Sequence, residues 1–276
     1  MSVAADHVSA ALAPFVMSLH AYDLGPGGVH RGLPSSAVTI TIPERDPLEI
    51  GWVGRRGPGE RLRAVVAGLH LDAAELRQAG CTRGVYLTLS PLGARALLGV
   101  PAAALAGHAA DLTDLVPAMA ELPERLAACR SWPQRRELLE RVLLAGLDRH
   151  GERADRRPLA AALSALSTND RVQDAARTLG CSRRHLSGAV RSEFGVTPKQ
   201  YQRLVRFERA RGRVVAASLA GRLDLAAIAN TSGFADQAHL AREWRAMAGC
   251  TLTEWLRTEG PTRPTRPPRQ AARARP

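Results

Sequence analysis

Arg184, Ser187, Gly188 and Arg191 stand at i, i+3, i+4 and i+7, the spacing that gathers side chains on one face of a helix. Fifty-four residues further on, Ala238, Ala241, Arg242 and Arg245 take up the same spacing, with Gln237 at the edge that Arg183 holds in the first set. A guanidinium can pair with guanine edges or phosphates and a carboxamide with adenine, while small residues let a helix backbone approach a groove closely. A solvated surface face is the plain alternative for any one such helix. Two in repeat argue for a double-stranded nucleic acid.

The elements that would position these faces repeat as well. His185-Leu186 falls on His239-Leu240, Gly195 on Gly249, Thr197 on Thr251 and Tyr201 on Trp255. In the first copy Asn169 or Asp170 is expected to cap a helix with Val172, Ala175, Ala176 and Leu179 on one face. Gly180 permits a sharp turn, and Ser182 caps a second helix whose inward stripe is Leu186, Ala189, Val190 and Phe194. In the second copy Leu225, Ile228 and Ala229 form the support. Its turn centres on Gly233, and Asp236 caps a helix with Leu240, Trp244 and Met247 inward. Each copy is a helix-turn-helix candidate. Between them Thr197-Pro198, a cap followed by proline at the first helical position, opens a helix expected over residues 198–220. At 1.5 Å per residue it spans about 34 Å, close to one turn of B-DNA. Gly212 lies inside it, and Arg203, Arg206, Arg209, Arg211 and Arg213 crowd it.

Charge agrees with this placement. Of the net +12, residues 1–167 carry 18 Lys+Arg against 17 Asp+Glu, residues 168–258 carry 15 against 8, and the tail from Glu259 carries five Arg against one Glu. The basic excess therefore lies on the repeat and the tail, which points to a polyanion. The repeat has no broad apolar face free to enter an acidic membrane.

The segment from about Pro158 to Arg257 resembles the DNA-binding domain of AraC/XylS-type transcriptional regulators, through "LGCSRRHLSGAVRSEFGVTPKQYQRLVRFERA" and "IANTSGFADQAHLAREWRAMAGCTLTEW". The resemblance implies base-edge contacts from Arg183, Arg184, Ser187 and Gly188, and from Gln237, Ala238, Ala241 and Arg242. The chain departs from the family where Gly188 and Val190 replace arginine and phenylalanine, Trp244 replaces phenylalanine and Leu252 replaces proline. Gly188 leaves one direct base contact in question; the other changes read as core substitutions.

Residues 1–150 have another texture. Residues 37–42, 48–53, 63–69 and 84–89 read as strands, separated by Gly/Pro clusters such as "RRGPGE", and after Ser90-Pro91 the pattern turns helical. The expected fold is therefore α+β. An N-terminal small antiparallel sheet or barrel-like domain with trailing helices precedes an all-α domain of two helix-turn-helix units joined by a long helix. The domains fall at 1–150, 158–258 and a linker at 151–157, followed by a Pro/Arg-rich, disordered tail at 259–276. "GVYLTLSPLGARALLGVPAAALAG" resembles the N-terminal half of some actinobacterial AraC-type regulators, which implies an effector-sensing or dimerising role. His30, His70, Tyr86 and Trp52 are candidates to line a pocket there, with packed or surface positions as the alternative.

No nucleophile elbow, phosphate loop or paired-carboxylate motif appears, and the scattered histidines and four distant cysteines form no metal-ligand spacing. No enzyme, cofactor or metal is expected. The alternative is an alkyl-transfer enzyme domain on the same DNA-binding module. It would need an activated cysteine, and Cys81 near Arg83 is the one N-terminal candidate. An architectural DNA binder without regulation is the second rival. With no basic start followed by an apolar run, the expected location is cytoplasmic and no membrane partner is expected. Double-stranded DNA is the expected partner. A small-molecule effector, a second copy of the chain and, for an activator, RNA polymerase stay open.

Overall fold

The structure is a computed structural model and describes residues 8–55, 57–151, 157–169 and 171–260, without the side chains of residues 24–27 and 78–82. Asp170, most of the expected linker and the tail beyond Gly260 lie outside the described residues.

Strict alternation builds the first half. β2 (Val38–Pro43) turns Val38, Ile40 and Ile42 inward, and β3 (Leu48–Trp52) turns Leu48 and Ile50 inward. Both pair with β6 (Ala74–Leu89), β2 opposite residues 84–89 and β3 opposite residues 74–77. Along the other edge of β6 runs β1 (Val16–Gly32), from Val16 opposite Leu89 to Gly32 opposite Ala74, with three breaks of register. β4 (Glu60–Leu62) extends β3, β5 (Val65–Ala67) extends β2, and β7 (Ala109–Asp111) extends β5. All these pairings are antiparallel, as expected for the α+β class.

The strand boundaries correct the sequence reading. Residues 63–69 hold only the short β5, and β6 begins ten residues before the expected strand at 84–89. β1, β4 and β7 lie outside the expected strands. Helical turns then follow: α1 (Pro91–Gly93) passes into a π-helical turn, Ala94–Leu98, and a 3-10 turn, Ala102–Leu105. After β7 come α2 (Leu112–Leu115), α3 (Leu122–Ala128) and the long α4 (Trp132–His150), which starts at a Ser131 cap followed by Trp-Pro.

The second half is helical. α5 (Arg157–Thr168) leads into α6 (Val172–Thr178), α7 (Arg183–Phe194), α8 (Pro198–Leu219), α9 (Leu225–Thr231), α10 (Gln237–Ala248) and α11 (Leu252–Thr258). The first cap departs from expectation. The residue before α6 is Arg171, with no side-chain cap, and the Asn169 amide instead donates to Ala165 O at the end of α5. The break between α5 and α6 thus uses Asn169 to close one helix rather than open the next.

α8 is continuous through Gly212 and ends at Leu219, one residue short of the expected end. Thr197 and Gln200 close a capping box at its start, with Thr197 N–H donating to Gln200 Oε1 at 2.8 Å and Gln200 N–H to Thr197 Oγ1 at 3.2 Å. Its buried stripe of Tyr201, Leu204, Phe207, Ala210 and Val214 serves both helix-turn-helix units. Trp244 packs its ring against Phe207 at 5.0 Å and Trp255 at 5.2 Å. One buried cluster runs without interruption from Leu12 in the first half to Trp255 in the second.

Candidate nucleic-acid interface

α7 and α10, the two candidate reading helices, are set by the same local chemistry. Ser182 Oγ accepts the His185 N–H at 3.1 Å and starts α7; Asp236 Oδ1 accepts the His239 N–H at 2.6 Å and starts α10. The turns before them pass through left-handed glycines, Gly180 (φ 64°) and Gly233 (φ 85°), a conformation that costs an L side chain strain. Leu186, Val190 and Phe194 pin α7 to the core, and Leu240, Trp244 and Met247 pin α10. Ala189, expected inward, is half-buried at the margin.

That packing leaves the opposite faces free. Arg183, Arg184, Gly188 and Arg191 are exposed on α7 and Ser187 is half-buried beside them; Gln237, Ala238, Ala241, Arg242 and Arg245 are exposed on α10. Arg184, Ser187, Gly188, Arg191 and Ser192 line an open depression on α7. A Cβ added to Gly188 would meet nothing within 4 Å, so no neighbour in the fold requires glycine there.

Partnering separates two kinds of arginine. Among the described residues the side chains of Arg183, Arg184, Arg191, Arg242 and Arg245 make no hydrogen bond or ion pair. Four of the five α8 arginines are engaged inside the protein. Arg203 Nε donates to Glu243 Oε2 at 2.5 Å, tying the spacer to α10. Arg209 donates to Ser167 O, and Arg213 Nη1 to Ser232 Oγ at 3.3 Å. The Arg206 guanidinium lies 5.9 Å from the Phe234 ring centroid, in cation–π range. These four arginines brace the spacer, a role that their crowding in sequence did not disclose.

The residues suggested for an N-terminal pocket fall into separate packed contacts. Trp52 meets His70 edge-on at 5.1 Å, and Tyr86 meets His20 at 5.2 Å. His70 is buried, its Nδ1–H donating to Asp72 O at 2.7 Å, and burial holds its pKa below the ordinary histidine value. Burial likewise raises the Tyr86 phenol. His30 is half-buried and close enough to Glu259 for their charges to interact. The Cys81 side chain lies outside the described residues. Cys129 and Cys181 are half-buried, and burial raises the Cys250 thiol. Among the described residues no group of His, Cys, Asp and Glu could hold a metal ion, and no helix is long and apolar enough to cross a membrane.

Two helix-turn-helix units on one spacer, with free guanidinium groups on both outward faces, make a candidate surface for double-stranded nucleic acid. Residues 175–258 match the family described as a helix-turn-helix domain, and that domain is of the AraC type. Residues 175–258 accordingly form a helix-turn-helix domain of the AraC type, the domain type of DNA-binding transcription regulators.

Its fold as a whole is similar to that of ToxT from Vibrio cholerae, with a TM-score of 0.51 at 13% identity, over 87% of this chain and 97% of that one. It is also similar to ToxT of Vibrio cholerae strain SCE256 with an unsaturated fatty acid bound, at a TM-score of 0.52 and 11% identity, over 91% and 96%. A transcriptional regulator with an AraC-type DNA-binding domain from Chromobacterium violaceum aligns at 24% identity over 38% of this chain and 95% of that one, with a TM-score of 0.33. No curated protein sequence matches the chain.

Proposed function

We propose that the chain recognises its operator with two helices at once, α7 and α10 entering successive major-groove segments from one face of the duplex. The observation that carries this reading is the contrast among the arginines: those on the two outward faces are exposed and free, while Arg203, Arg209 and Arg213 on the spacer are bonded within the protein. On this reading Arg183, Arg184, Ser187, Gly188 and Arg191 meet the first segment. Gln237, Ala238, Ala241, Arg242 and Arg245 meet the second. Small residues at Gly188, Ala238 and Ala241 allow close approach to the groove floor. The 22-residue spacer spans about 33 Å, near the 34–36 Å of one duplex turn.

Residues 1–150 serve as the sensing module and residues 158–258 as the reading module, acting in the cytoplasm. ToxT shares the fold across both halves and has been seen with an unsaturated fatty acid, so small apolar acids are the effector class to screen first. Selection of bound sequences from random DNA supplies the operator. Inserting about five base pairs between its two segments turns the second to the far side of the duplex. Affinity then falls toward that of a single segment. Equal affinity for the parent and the five-base-pair insertion, at one salt concentration, overturns the reading.

A further inference from the structure

The two reading helices end at equivalent glycines, Gly195 and Gly249, and the β-rich half of the chain touches both ends. At α7, a Cβ on Gly195 would lie 2.3 Å from Ala106 Cβ and 2.9 Å from Ala103 Cα, so the 3-10 turn Ala102–Leu105 and its successor press directly on the helix end. Beside it Arg95 holds both carboxylate oxygens of Glu193, Nε to Oε1 at 2.7 Å and Nη2 to Oε2 at 2.8 Å. At α10, a Cβ on Gly249 would lie 2.5 Å from Val53 Cγ1. There Arg31 Nη1 donates to Ala248 O at 3.0 Å, a carbonyl in the last turn that the helix itself leaves without a partner. The Arg31 backbone N–H also donates to Glu259 Oε2 at 2.8 Å, just beyond α11.

A third contact lies between them. The Glu208 carboxylate on α8 accepts from Ser35 Oγ and Ser36 N–H, each at 3.0 Å, and from Ser36 Oγ. Ser35 and Ser36 are both buried, so this contact is a seam and not a surface pair. All three grips come from one hydrogen-bonded sheet and the turns that follow it. All three also fall away from the outward faces, leaving Arg184, Arg191, Gln237 and Arg242 exposed.

We propose that the β-rich half is the gauge that sets the separation of the two reading faces, with Arg95 and Arg31 as its positioning residues. This rests on the two-helix reading above. A spacer helix can bend and twist, and its grips on the second unit, from Arg203 to Arg213, lie along the spacer and not at the C-terminal ends of α7 and α10. A sheet joined to those ends adds a second, independent connection between the two units. Helix spacing then depends on the state of the first half of the chain, and an effector bound there is read as a change in preferred operator spacing without any occlusion of the reading faces.

The test uses the full chain and a series of duplexes with the selected operator, its two segments at the parent separation and one or two base pairs nearer or farther, plus a duplex with one segment only. Wild type is expected to lose about tenfold or more in affinity at two base pairs from the optimum, since the DNA must be deformed to fit. Arg31→Gln/Arg95→Gln should flatten that loss to about threefold or less, with one-segment affinity unchanged within about twofold. Arg95→Glu/Glu193→Arg, which remakes the pair in reverse, should keep the profile steep at the α7 end. The proposal is overturned if Arg31→Gln/Arg95→Gln keeps the wild-type steepness, or weakens every duplex by one common factor. A wild-type profile that is itself flat removes the two-helix reading and this inference with it.

Discussion

At the scale of the residue, the arginines divide by their partners, and mutation should expose that division. Arg242 is exposed and makes no bond within the described protein, so Arg242→Ala should leave the melting temperature unchanged. It should cost about 1–3 kcal/mol of operator affinity and relax preference at one or two base pairs. Equal losses on operator and random duplexes would instead make Arg242 a phosphate contact. Arg206, half-buried over Phe234, should behave in the opposite way: its removal lowers stability and weakens all sequences alike. His70 gives a second prediction. Burial lowers its pKa in the folded state, and it faces Asp72, Glu208 and Arg211. Its stabilising contribution is therefore fully present above the unfolded value of about 6.5, and is lost as pH falls from there through the lower folded value, where the unfolded chain binds the extra proton. The half-buried His20 acts in the same direction. Melting temperatures between pH 7.5 and 5.5 should fall, and less steeply in His70→Gln. Parallel curves for the two proteins would place the acid sensitivity elsewhere.

At the scale of the element, the helical half was legible because its punctuation is local. Ser182, Asp236 and the Thr197-Pro198 pair each declare a helix start, and the structure uses all three. The strands were less legible, and β1 shows why. Its middle reads Leu-Gly-Pro-Gly-Gly, a turn signal on any local rule, yet it remains in one strand of 17 residues because β6 pairs with it on both sides of two register breaks. Long-range pairing overrides local propensity there, and no pattern within the segment announces it. The two exposed faces of α7 and α10 could be found from spacing alone. The grips of Arg31, Arg95 and Glu208 could not, since each joins residues from about 100 to 230 positions apart and carries no periodic signature. The spacer supplies the test at this scale. A Cβ on Gly212 would meet nothing within 4 Å and its φ is helical, so Gly212→Ala should raise stability by about 0.5–1 kcal/mol. It should also leave operator spacing unchanged. If it sharpens the spacing preference, α8 bends at Gly212 in the native chain.

At the scale of the whole molecule, the cation inventory bounds the electrostatics. With four spacer arginines engaged internally, the five free arginines of the reading faces are the main candidates for phosphate and base contacts. At about −0.9 per phosphate neutralised, the slope of log affinity against log salt should reach at most about −4.5 if all five meet phosphates, and less for each one that reads a base instead. Titration of a short duplex from low to moderate salt measures it, and a flat response excludes nucleic acid as the partner. The two faces are also unlike. Where α7 presents Arg183, Arg184 and Ser187, α10 presents Gln237, Ala238 and Ala241. A chain that reads with two different heads has no internal two-fold axis, so its operator has no need to be a palindrome and its complex has a direction. The same operator written on the opposite strand would carry the β-rich half pointing the other way along the duplex, and one molecule would suffice to distinguish upstream from downstream.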